Sequence, residues 1–138
     1  MVLITRKTDY AIRCIVYLSR NQDRDSNIAE IARAMHIPKT FLAKILQMLV
    51  RKKLVTSTRG ISGGFRLARK PSEISLMDIV MAIQFRIGIN ICVANPRLCS
   101  LNHSCAIHPV WVGIRMEIDR RLRTMTIDSL LNAGTPAL

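Results

Sequence analysis

The chain has 138 residues, 49% of them hydrophobic, which points to one domain, or one small domain with an added arm, and excludes a disordered chain. Charges interrupt every apolar run before the ~18 residues a membrane span needs, and the opening residues lack the apolar core of a signal peptide, so the cytoplasm is the expected compartment. Net charge is +12 and uneven: residues 1–70 carry fifteen basic and four acidic side chains, residues 71–138 six and five. A basic half followed by a neutral half is the footprint of a polyanion-binding region, although the charge alone also suits anionic lipid or a plain solvated surface.

Apolar residues in TDYAIRCIVYLSR, 8–20, predict a first helix with Thr8 or Asp9 as its cap. Asn27 and Glu30 form a capping-box pattern that opens a short helix, IAEIARAM. His36-Ile37-Pro38 breaks it, and Pro38 suits the first turn of the next helix, to about Lys52. There Leu42, Ile45, Leu46 and Leu49 make an apolar stripe. A short helix, a tight break and a longer basic helix are a helix-turn-helix candidate. LVTSTR, 54–59, and FRLAR, 65–69, then read as short strands, joined by Gly60-Ile61-Ser62-Gly63-Gly64. A hairpin placed after such helices is a wing. Ser75 with Asp78 opens another helix through about Ile83.

Residues 86–108 lose all period, and three of the four cysteines fall there. An irregular stretch this long is uncommon in a compact domain unless it has a function. After Pro109 the helical period returns, with Val110, Trp111, Ile114, Ile118, Leu122 and Met125 as a stripe and Arg115 and Asp119 largely off it. A second copy of the chain is the expected cover for that stripe. The expected fold is mainly α: a winged helix-turn-helix DNA-binding region over 1–85, a cysteine-rich sensor loop over 86–108, a dimerisation helix over 109–131 and a tail over 132–138.

Cys92, Cys99 and Cys105 are spaced C-x6-C-x5-C, with His108 three residues on. Thiolates are soft ligands that iron–sulfur clusters, zinc and copper(I) select. The spacing is not that of a zinc ribbon, so a cluster, a Cys3His zinc site through His108 and three ordinary reduced cysteines all remain open. Cys14 lies in an apolar helical run and reads as a small core residue. In the basic helix Lys39, Thr40, Lys44 and Gln47 are the candidate DNA contacts: Thr40 and Gln47 for base edges, Lys39 and Lys44 for phosphate. Arg59 at the wing suits a narrow A·T-rich minor groove. No nucleotide-binding glycine motif, paired acids or nucleophile with a placed base suggests an enzyme.

The succession TDYAIRCIVYL, NIAEIARAMHIPKTFLAKILQMLVRKKLV, RGISGGFRLARKPSEISLMDIVMAI, three cysteines and HPVW resembles the Rrf-type winged-helix regulators over roughly residues 1–131. That bacterial family includes the regulators IscR and NsrR. The resemblance implies a homodimer on a pseudo-palindromic double-stranded DNA operator, probed by the helix from Pro38 to Lys52 in the major groove and by the wing in the minor groove. Arg59, Gly60, Ser62, Gly63 and Gly64 carry the wing contacts. It also implies a four-iron or two-iron cluster held by Cys92, Cys99, Cys105 and a fourth ligand. An IscR-like chain uses the histidine matching His108, an NsrR-like chain the aspartate matching Asp9, and this sequence has both. The implied signal is iron–sulfur status, nitric oxide, oxygen or redox state, and the implied output is repression or activation of transcription, with repression expected. A structural zinc or a metal-free thiol switch is the alternative.

Overall fold

The computed structural model describes residues 3–134. Helix α1 (Arg6–Arg20) is the hub, with Ala11, Cys14, Ile15 and Leu18 fully buried along one face. Its cap is neither Thr8 nor Asp9. Thr5 takes that place, its hydroxyl accepting from the Thr8 backbone N–H at 3.2 Å. Thr8 is drawn inward instead, where its hydroxyl donates to Gln84 Oε1 at 2.6 Å.

Helix α2 (Ile28–Met35) opens with the expected reciprocal box: the Glu30 N–H donates to Asn27 Oδ1, and the Asn27 N–H to Glu30 Oε2, both at 3.0 Å. His36, in the left-handed region at φ 52°, ends it. Pro38 sits just ahead of α3 (Lys39–Arg51), not inside it, and α3 buries Leu42, Ile45, Leu46 and Leu49 completely. Strands β1 (Val55–Thr58) and β2 (Gly64–Leu67) pair antiparallel, Val55 with Leu67 through Thr58 with Gly64. The 3-10 turn Pro71–Glu73 leads to α4 (Leu76–Ile83), where the Ser75–Asp78 box forms as expected. Helices α1 to α4 and the base of the wing share one core.

The cysteine segment is less irregular than its composition suggests. It contains a one-turn helix α5 (Ile91–Ala94) and a 3-10 turn, Pro96–Leu98, each capped by the asparagine before it. The stretch expected as one helix over 109–131 is two. Helix α6 runs His108–Thr124, Met125 turns extended, and Thr126 caps α7 (Ile127–Asn132). Ile127 is fully buried in the core under α1, and backbone bonds between Ile127 and Ile74 and between Leu76 and Met125, both 2.9 Å, pin the chain end to the start of α4. Four residues of the expected tail, 135–138, lie outside the described residues.

The α6 stripe divides. Ile118 and Leu122 pack on Met77, Val80 and Ile87, whereas Val110 and Ile114 remain 52% and 41% exposed. Arg115 and Asp119, expected off the stripe, face inward: they pair at 2.9 Å, and the Arg115 guanidinium donates to the Ile87 carbonyl. Among the described residues no helix is long and apolar enough to cross a membrane.

Candidate nucleic-acid interface and cysteine segment

The outer face of α3 is polar because its inner face is committed to the core. Lys39, Thr40, Lys44 and Gln47 are all exposed. Thr40, Lys44 and Gln47 fall at i, i+4 and i+7, and Arg51 at i+11, also exposed, extends the row. Arg51 went unnoticed in the sequence although it repeats the Lys44 position one heptad later. Phe41 was also missed: it lies off the Leu42, Ile45, Leu46 and Leu49 stripe and is 54% exposed.

The wing is fastened to the helix-turn-helix at three points. Ser26 and Phe65 exchange backbone hydrogen bonds of 2.9 and 2.8 Å, so the residue before the α2 cap pairs with β2. Gly64 lies so close to Ser26 that a Cβ would stand 2.6 Å from the Ser26 carbonyl oxygen. Arg66 and Asp25 form an ion pair, and hydrogen bonds from Arg66 and from the Thr58 hydroxyl hold the Asp25 carboxyl below the usual carboxylate range. Gly63 is equally constrained, since a Cβ there would meet the Thr58 carbonyl oxygen at 2.2 Å. Gly60 turns the chain at φ +114°, which L side chains rarely adopt. Arg59, Ile61 and Ser62 stand exposed at the tip. Gly63 and Gly64 thus shape the wing, and Arg59, Ile61 and Ser62 are the side chains it presents.

Cys92, Cys99 and Cys105 are free and half-buried. Cys92 lies on α5, Cys99 closes the 3-10 turn and Cys105 precedes α6. Among the described residues no three of His, Cys, Asp and Glu gather closely enough to hold a metal ion. Cys92 and Cys99 do line one open depression of about 490 Å³, with Asn90, Ile91 and Leu98. His108 Nδ1 is buried without a hydrogen-bond partner, whereas the Asp9 carboxylate is paired with Arg13 at 2.9 Å. Three soft thiols and a spare imidazole nitrogen fit a thiolate-bound metal by donor chemistry; for all of them to reach one centre, the segment must close. Cys14 is no candidate, because burial pushes its thiol up to about 12 and keeps it protonated.

One side chain joins the two regions and was not foreseen. The Gln84 carboxamide, at the end of α4, accepts from the Thr5 N–H at 3.1 Å and the Thr8 hydroxyl, and donates to the carbonyls of Leu3 at 3.0 Å and Arg86 at 2.9 Å. It ties the start of α1 to the start of the cysteine segment.

The family model described as Rrf2, iron-dependent transcriptional regulator, matches residues 4–133. The chain is 37% identical over 131 residues to protein aau3 of Rhizobium meliloti, covering 94% of this chain and 85% of that one. It is 34% identical over 109 residues to the helix-turn-helix transcriptional regulator NsrR of Oceanobacillus iheyensis, covering 72% and 74%. Its fold superposes on that of CymR, the global cysteine regulator of B. subtilis, with a TM-score of 0.84 over 98% of this chain and 100% of that one, at 21% identity. A braced wing beside an exposed polar helix, on a chain matched nearly end to end, gives a plain conclusion: this protein belongs to the Rrf2 family of winged-helix DNA-binding transcriptional regulators and is not an enzyme.

Proposed function

We propose that two copies of the chain, paired along α6, bind a pseudo-palindromic operator as a repressor, and that an iron–sulfur cluster on Cys92, Cys99 and Cys105 sets its occupancy. The observation that carries the sensing part is the collection of three free thiols on a segment that buries only Ile87. Such a segment can close on a ligand without disturbing the main core. When bound, a cluster with three thiolates and one weaker ligand supplies an iron that nitric oxide or oxygen can attack. His108 is the favoured fourth ligand, because its Nδ1 has no other partner while Asp9 would have to leave Arg13.

The residues around the segment carry the response. Ile87 is wedged among Met77, Val80, Ile118 and Leu122, and Arg115 holds its carbonyl, so closing the segment acts on α6. Gln84 passes the same movement to α1. Val110 and Ile114, uncovered in one copy, are the surface the second copy covers. The tilt of α6 then sets the separation of two α3 helices on half-sites one turn, about 34–36 Å, apart. A ligand biases this only by its different affinity for the two geometries. On the DNA, Thr40 and Gln47 face base edges, Lys39, Lys44 and Arg51 face phosphates, and Arg59 enters the minor groove.

One observation favours a second reading. Cys92 and Cys99 line the same depression, so hydrogen peroxide could join them as a disulfide, the two thiols being oxidised and the peroxide reduced to two waters.

Protein purified without oxygen decides between them. Brown protein with matched iron and sulfide, lost when Cys92, Cys99 and Cys105 become Ala together, supports the cluster. Colourless protein that stays so after reconstitution overturns it, and a reversible Cys92–Cys99 disulfide would then support the thiol switch. For the wing, Arg59→Ala should weaken operator binding far more than binding to random duplex. Equal losses would reduce Arg59 to general charge.

A further inference from the structure

We propose that Phe41 reads the 5-methyl group of a thymine in each operator half-site. Phe41 is the third residue of α3, at the end of a recognition helix that approaches base edges. More than half of its surface is exposed although Leu42 beside it is fully buried. The ring is also held. Tyr10 of α1 meets it edge-on, centroids 6.4 Å apart at 68°, and the Arg13 guanidinium lies 5.8 Å from the Tyr10 ring on the same helix. Tyr10 in turn packs against the main core. Phe41 is therefore an exposed aromatic with a fixed bearing.

Its surroundings name the partner. Thr40 and Lys44 flank it on α3, and Lys39, Arg51 and Arg33 of α2 are exposed on these two helices. An apolar protein surface would have to cover these cations without pairing them, at a large desolvation cost. A nucleic acid pairs them with phosphates. In the major groove the one apolar feature a base edge offers is the thymine methyl, and phenylalanine is among the side chains that contact it.

The inference rests on α3 being the helix that enters the major groove, and the test separates the two. The protein is first used to enrich a duplex from a randomised library. Each thymidine of that duplex is then replaced singly by deoxyuridine, which removes only the methyl group, and Kd is measured for wild type, Phe41→Ala and Phe41→Leu. The expected result is one position per half-site where uracil weakens wild type about fourfold, the transfer free energy of one buried methyl group. Phe41→Ala should bind thymine and uracil there equally, and Phe41→Leu should recover part of the difference. If no thymine matters to wild type, a result that requires no variant, or if Phe41→Ala keeps the full discrimination, the proposal fails while α3 stays in the groove. If no sequence is enriched at all, the recognition-helix reading falls and takes the proposal with it.

Discussion

In the winged-helix body, residues 3–85, each of α1 to α4 turns a buried face to the core. In the next stretch, 86–107, only Ile87 is buried, and Ile91, Leu98, Leu101 and Ile107 stay largely exposed. The backbone bonds of that stretch are local: Ala94 to Asn90, Leu98 to Asn95, Cys99 to Pro96, Ser104 to Leu101. The body is held by contacts distant in sequence, whereas the segment's backbone bonds are local and its long-range ties are few: Ile87 among Met77, Val80, Ile118 and Leu122, its carbonyl on Arg115, and α5 against α6. Closing or opening the segment therefore costs few long-range contacts, while any change in the body is felt throughout. On the proposed function, that asymmetry sets a rigid DNA-binding body beside a soft cysteine segment, the two joined through Gln84, Ile87 and Arg115.

The comparison predicts its largest effect in the body. Leu46→Ala removes a fully buried side chain from the main core and should cost about 2–5 kcal/mol, read as a fall in denaturant midpoint. A truncation in the segment, Leu98→Ala, should stay within about 0.5 kcal/mol. Similar losses at the two sites would break the contrast between rigid and soft regions.

A smaller effect is expected where the body meets the wing. Gly64→Ala places a Cβ against the Ser26 backbone and should cost about 1–3 kcal/mol as the strand shifts. Operator affinity should fall too, because the Ser26–Phe65 pairing aims the wing. A variant of wild-type stability with normal DNA binding would show that the wing finds its position without that anchor.

What could be read in the sequence followed from range. The boxes at Asn27–Glu30 and Ser75–Asp78 span three residues, and both were legible. The cap of α1 was not: Thr5 and Thr8 are both plausible caps, and what decides is Gln84, 76 residues beyond Thr8, which draws Thr8 inward. The break at Met125 went unread although the stripe ends there: three and four residues on stand Asp128 and Ser129, and Thr126 with Ser129 makes a capping box. Periodicity also places Val110 and Leu122 on one stripe but cannot say that α4 covers only the second. Phe41 was passed over because it lies off the α3 stripe, and spacing cannot say that Tyr10 of α1 meets its ring. Spacing of the cysteines suggests what they can bind, not whether the fold brings them together. In this conformation it brings Cys92 and Cys99 to one depression and leaves the full donor set apart.

The finest test uses one residue type in both regions. Cys14 is fully buried in α1, and burial pushes its thiol up to about 12 from 9.0; Cys92, Cys99 and Cys105 are half-buried in the segment. Alkylation requires a thiolate that the reagent can reach. In the native, metal-free protein at pH 8, iodoacetamide should therefore modify Cys92, Cys99 and Cys105 and spare Cys14, with the fourth label appearing only in denaturant; mass spectrometry of the peptides reads this directly. The same burial sets a pH dependence. Because the folded value lies above the unfolded one, the stability held by neutral Cys14 is complete below about pH 9 and is lost as pH rises toward 12, where the unfolded thiol ionises first. Denaturant midpoints measured between pH 8 and 11 should fall more steeply for wild type than for Cys14→Ala. If Cys14 labels as fast as the segment cysteines, α1 opens as readily as the segment does, and the body is not the rigid partner that the proposed switch requires.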